Sequence, residues 1–156
     1  MNQYKVGLEY ANIKDKNIPG IGDITTESYE LKGGYRFIEA DAFQLYGNLS
    51  YYKENKDRKN ANYAACILGV DGIYDFNQNL NVDGTVGVSV NGKYKADPNI
   101  DIDGDLVQFK VKLNYLFIDN IGASLGYRYY GLKEKFNSGE HWEKHKAFTL
   151  GLSYNF

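Results

Sequence analysis

Apolar and polar residues alternate along most of the chain with a period of two, the spacing of a strand whose two faces meet different surroundings. Tyr4, Val6, Leu8 and Tyr10 alternate with Lys5, Gly7, Glu9 and Ala11. Tyr29, Leu31, Gly33, Tyr35 and Phe37 alternate with Glu30, Lys32, Gly34 and Arg36. Six further runs of the same kind begin near Phe43, Cys66, Leu80, Val107, Ile121 and Phe148. Three connections between runs are tight, at 38–42, 77–79 and 118–120. Four are longer and polar, at 14–25, 53–62, 92–105 and 133–146. The pattern predicts eight antiparallel up-and-down strands in one domain spanning residues 1–156, with no linker. An even strand count puts both termini on the short-turn side.

Alternation alone fits a soluble barrel and a membrane barrel equally, because it is symmetric. Three features favour the membrane. The polar face is small, carrying Gly7, Gly34, Gly69, Gly87, Gly122, Gly126 and Gly151. Eight strands enclose an interior only just wide enough for side chains, so the face turned inward has to be small. The apolar face carries no charge in any run, and a Lys or Arg there would cost roughly 2–4 kcal/mol at the bilayer midplane. Aromatic residues gather at the run ends: Tyr35, Phe37, Phe43, Tyr74, Phe76, Tyr115 and Phe117 by the short turns, Tyr10, Tyr29, Tyr51, Tyr127, Tyr129 and Phe148 by the longer connections. Two aromatic rings at two interfaces, with runs of about 9–11 residues between them, fit a tilted transmembrane strand. The expected fold is therefore an all-β, eight-stranded antiparallel transmembrane β-barrel with short periplasmic turns.

The final run, Phe148, Leu150, Leu152, Tyr154 and Phe156 on one face, resembles the carboxy-terminal assembly signal of bacterial outer-membrane proteins. Over its whole length the chain resembles the small OmpA/OmpX-type and opacity-like barrels, and Gly33, Gly34, Tyr35, Arg36 and Phe37 before a short turn are common in that group. The resemblance implies the bacterial outer membrane as location, outer-membrane lipid as surroundings and the barrel-assembly machinery as a partner during biogenesis. The loops are modest beside those of the adhesin and invasin members.

Composition adds exclusions. Fifteen Tyr and 17 Gly with 2 Pro suit strands and not helices. A net charge of -2 with no basic stripe argues against nucleic acid as a partner. The single cysteine, Cys66, rules out an internal disulfide framework. No apolar stretch is long enough for a transmembrane helix. No basic start followed by an apolar run is present, so an exported chain is read here in mature form, with Met1 as a cloning start.

The inward face carries Lys5, Lys32, Arg36, Lys110, Lys112 and Arg128 against Glu9, Glu30, Asp71, Asp75 and Asp83. Near balance in a narrow interior predicts a salt-bridged plug, since a lone buried charge is prohibitively costly. His141, Trp142, Glu143, Lys144 and His145 match no zinc-protease motif and read as solvated loop. Ser138 with His141 or His145 is the nearest approach to a lipid-deacylating pair, and its setting does not resemble that family, so no catalytic residue and no cofactor are expected. Asn99, Asp101, Asp103 and Asp105 form a candidate weak calcium site; Asn99, Asp101 and Asp103 fit the first ligand positions of a calcium loop, but Lys110 stands where its bidentate Glu belongs. The expectation is a monomeric surface-interaction or envelope-structural barrel that meets host or environmental ligands through 14–25, 53–62, 92–105 and 133–146. A small-solute channel is the alternative, and a lipid-modifying enzyme a more distant one.

Overall fold

A computed structural model of the chain describes residues 3–18, 22–57, 61–96, 100–118, 121–136 and 139–154. They form eight strands: β1 (Tyr4–Ile18), β2 (Gly22–Ala40), β3 (Phe43–Lys56), β4 (Ala61–Asp75), β5 (Leu80–Ala96), β6 (Ile100–Ile118), β7 (Ile121–Phe136) and β8 (Gly139–Tyr154). Each pairs antiparallel with its neighbour in sequence, in the order β1 to β8, as a single curled sheet. The β4–β5 turn is closed by the Asn77 side chain, which accepts the Asn79 and Leu80 amides at 2.9 and 3.0 Å.

The strands are longer than a membrane crossing needs. They run from 14 residues in β3 to 19 in β2 and β6, against about 9–11 for a tilted span. The extra length lies on the side away from the termini. Most of what the sequence presents as loop at 14–25, 53–62, 92–105 and 133–146 is therefore strand: only 19–21, 57–60, 97–99 and 137–138 fall between strands. The physical reason is that past the bilayer the outward face meets water and turns polar, while the inward face mixes charged, aromatic and aliphatic residues, so the alternation fades although the hydrogen-bonded ladder continues. In β5 the phase itself slips. A bulge between Val88 and Lys93 contains Asn91 at φ 57°, a left-handed conformation that Asn tolerates better than most residues. Beyond it the inward positions change from Thr85, Gly87 and Ser89 to Gly92 and Tyr94.

Side-chain parity is set by the lipid. Val6, Leu31, Leu49, Leu68, Val86, Phe109, Leu113, Leu125 and Leu150 all point outward. Rings meet at both ends of this belt: Tyr4 with Tyr35 at 5.6 Å and Tyr74 with Phe76 at 5.2 Å by the short turns, Tyr10 with Tyr29 at 5.0 Å and Tyr127 with Phe148 at 5.6 Å at the far end.

Among the described residues β1 pairs only with β2, and β8 only with β7. The outward side chains record this. Val6, Leu8, Phe148 and Leu150 are 79–87% exposed, against 46–56% for Leu49, Leu68 and Leu113 inside the sheet. Hydrocarbon leaves no water for a free edge, so each unpaired backbone group there costs several kcal/mol. In lipid we expect β1 and β8 to pair with each other. The unboiled protein should then migrate differently from the boiled one on a gel, and the amides of residues 4–11 should exchange slowly in bilayers. Equal mobility, with far-UV circular dichroism showing β-structure beforehand, together with fast exchange in β1, would refute closure.

Candidate functional site in the polar interior and at the outer rim

The curl of the sheet brings the inward side chains of β1 and β2 onto those of β5, β6 and β7. In the ladders, Glu9 lies directly opposite Glu30, and Lys110 directly opposite Arg128. Like charges placed so are destabilising by themselves. Curling faces the acidic pair with the basic one. Lys110 Nζ sits 3.3 Å from Glu9 and in a short contact with Glu30. Arg128 Nη1 is 3.3 Å from Glu9, and Lys112 Nζ is 2.6 Å from it. Gln108 donates to Glu30 at 3.4 Å, and Arg128 to the Ser28 hydroxyl at 3.4 Å.

A second cluster lies nearer the short-turn end. Asp71, fully buried, accepts from Asn48 at 2.8 Å and Thr85 at 2.7 Å and pairs with Lys32 at 2.8 Å. Lys5 reaches Asp83 at 2.5 Å and lies 3.9 Å from Asp71. Nearest the short turns, Arg36 and Asp75 do not meet each other directly: Gln44 stands between them, accepting from Arg36 at 3.5 Å and donating to Asp75 at 3.1 Å. Arg36 pairs with Glu39 at 2.8 Å, a residue outside the set singled out from the sequence.

Above these clusters lies a further layer, in which Tyr52 and Tyr130, inward by their strand parity, are buried as that parity predicts, while Glu54 and Lys56 fall outside the set singled out from the sequence. Glu54 accepts the hydroxyls of Tyr52 at 2.6 Å and Tyr130 at 2.8 Å, and Lys56 stands 3.6 Å from it. The Arg128 guanidinium lies over both tyrosine rings, at 5.1 and 4.8 Å. Tyr63, Tyr94, Leu106 and Leu132 complete a buried aromatic and aliphatic cap. The sequence pattern assigns Glu54 and Lys56 to a loop, because a charged inward position looks like a solvated one. Their even-numbered phase, continuous with Asn48, Ser50 and Tyr52, was the available signal.

Glycines make this filling possible. A Cβ at Gly69 would stand 2.6 Å from the Val86 carbonyl oxygen, and one at Gly126 would stand 2.6 Å from Thr149 Oγ1 and 3.0 Å from the Val111 carbonyl oxygen. At the outward Gly33 a Cβ would meet nothing within 4 Å.

The remaining sequence candidates separate. Residues 100–105 belong to β6, where alternate residues stand about 6–7 Å apart along the strand. That is an extended run, not the tight loop a calcium ion needs. Asp103 is exposed and pairs with Lys93 at 2.6 Å. Asp105 lies opposite Lys133 in the ladder. Asp101 shares the strand, and Asn99 lies outside the described residues. Among the described residues no three His, Cys, Asp or Glu side chains are grouped for a metal. His145, expected in a solvated loop, is instead in β8 and buried, stacked on Tyr130 at 4.8 Å. Ser138 lies outside the described residues. Of the terminal assembly run, Phe148 and Leu150 face outward; Leu152 and Tyr154 are in β8 with side chains outside the described set, and Phe156 lies outside the described residues.

A family model for the outer membrane protein beta-barrel domain matches residues 2–156. No curated protein matches the chain. Among solved structures, OmpT (in-vitro folded), an outer membrane protein of Vibrio cholerae, is similar at 18% identity with a TM-score of 0.39; the match covers 99% of this chain and 52% of that one. The chain thus spans about half the length of that protein.

Two stability outcomes follow from the interior. Arg128→Ala leaves Glu9 short of one partner and opens a gap beside Tyr52 and Tyr130, and should cost about 3–5 kcal/mol, the usual loss for breaking a buried ion pair. Leu125→Ala faces lipid, strands no charge and should cost less. Denaturant titration of both in the same lipid decides it; an Arg128→Ala variant as stable as the parent would refute the packed network. Gly69→Ala should destabilise by about 1–3 kcal/mol through overpacking, while Gly33→Ala should be near neutral. Equal effects would mean that the interior has room to spare.

Proposed function

The chain belongs to the outer membrane protein beta-barrel domain family and resides in the bacterial outer membrane, and from that premise we propose that it is a non-conducting barrel of envelope-structural and surface-interaction type. One observation carries this reading: the central charges pair across the interior, from β1 and β2 to β6 and β7, with Arg128 and Lys110 2% exposed and Asp71 fully buried. A conducting path needs charges that stay hydrated and are free to exchange partners with a passing ion. Here Glu9, Glu30 and Asp71 are each held by several donors, and the tyrosine cap lies above them.

The elongated outer strand ends suit the second half of the proposal. The strands themselves continue well past the lipid belt on that side, and binding residues concentrate on connections over a rigid scaffold. In this reading the ladder below acts as a pedestal. The run from Phe148 to the C-terminus serves assembly, as the target read by the barrel-assembly machinery. The protein acts as a monomer and carries out no chemistry of its own.

Planar-bilayer recording tests the first half. The parent should show no steady conductance, and steady, reproducible channel openings would replace this reading with a small-solute channel. Exchanging the four connections one at a time and measuring binding of cells to host or environmental surfaces tests the second. Loss of binding with one exchange supports recognition at that tip. No change with any exchange would leave the envelope-structural role alone.

A further inference from the structure

The outward face of the β7–β8 hairpin changes character just past the aromatic pair Tyr127 and Phe148. Successive outward pairs across the ladder are Tyr129 with Lys146, Gly131 with Lys144, and Lys133 with Trp142. Trp142 is half exposed, and its ring leans over Gly131, where a Cβ would meet it at 3.5 Å. Lys133 Nζ stands 5.8 Å from the centre of that ring. Lys144 and Lys146 are exposed, and among the described residues neither has a carboxylate within ion-pairing distance. Another basic pair at the same end of the sheet, Lys93 and Lys95 on β5, is different: it lies opposite Asp103 and Asp101, and Lys93 is bonded to Asp103 at 2.6 Å.

Height matters as much as charge. Lys146 and Lys144 stand two and four residues beyond Phe148. At about 3.3 Å per residue and a tilt of about 45°, that is roughly 5 and 9 Å above the outer aromatic ring, within the head-group layer of a bilayer. Tryptophan and tyrosine favour the same level. The outer leaflet at that level presents phosphates of its lipid head groups.

We propose that Lys144 and Lys146, with Lys133, Trp142 and Tyr129 beside them, form a binding site for the phosphate groups of an anionic outer-leaflet lipid. The lysines supply point charges to the phosphate oxygens. The Trp142 ring rests on the sugar or acyl shoulder of the same lipid. The pairing is one of charge and height, and the site is complete on one hairpin.

Trp142 is the single tryptophan of the chain, so its emission reports on this site alone. The protein, refolded in phosphatidylcholine bicelles, is titrated with diphosphorylated lipid A. A saturable emission change that weakens with rising salt is expected. The Lys144→Gln, Lys146→Gln double variant should bind about twenty-five-fold more weakly, from roughly fivefold per lysine at an anionic surface. The Lys144→Arg, Lys146→Arg variant should keep most of the affinity, and Lys93→Gln with Lys95→Gln should bind like the parent. All variants are compared by boiled and unboiled gel mobility, so that misfolding is seen directly. An unchanged affinity in the Gln variant overturns the proposal. So does an equal response to phosphatidylglycerol, which would show general surface charge, or displacement of the lipid by millimolar inorganic phosphate, which would show a free-anion site.

Discussion

Two like-charge pairs, Glu9 beside Glu30 and Lys110 beside Arg128, are placed next to each other by their ladders and are tolerable only when they face each other. Either pair alone would push its own strands apart. Together, across a curled sheet, they become one network in which Lys110 bridges both acids. The network therefore rewards curvature and not flatness. A flat or shifted sheet would separate the acids from the bases and leave four charges away from water, at a cost far above that of any single lost contact. The other interior contacts, including Asp71 with its three donors and the tyrosines about Glu54, lie on the surface that this curvature brings together.

Lipid imposes the opposite demand on the other face. Outward positions need apolar bulk and no charge, whereas inward positions need polarity in little volume. Glycine at Gly69 and Gly126 meets the inward demand, because the neighbouring strand and the polar side chains come too close for even a methyl group. Strand parity keeps the two demands apart, since a slip of one residue would exchange the faces. The bulge at Asn91 makes such an exchange only past the outer aromatic ring, where both faces meet polar surroundings and the change is cheap.

Much of this was legible in the chain itself. The parity of β1 to β4 and β6 to β8 follows from Val6, Leu31, Leu49, Leu68 and their counterparts, because a charge among them would be penalised by lipid. The acidic and basic inward positions follow from the same parity. Their partners do not. Which base meets Glu9 depends on how far the sheet curls and on the stagger between strands separated by about a hundred residues, and no local spacing encodes that. The outer ends are less legible for a related reason. Lys53, Glu54, Asn55 and Lys56 look like solvated loop, since the outward Lys53 and Asn55 meet water and the inward Glu54 and Lys56 are charged, which leaves no apolar face to mark the strand. The Asp-rich stretch at 101–105 suggested convergent ligands for the same reason, where the chain is in fact extended.

The tyrosine cap around Glu54 has a consequence for how such a molecule can change over generations. It seals the charged layers with side chains that belong to the strands and owe nothing to the connections above them. A substitution, insertion or deletion at the tips then perturbs neither the ion pairs below nor the lipid belt around them. Stability and surface identity become separately inherited traits. The membrane-embedded part can stay under tight constraint while the exposed tips drift, lengthen or are exchanged, which is the freedom that a protein facing a changing outside world requires.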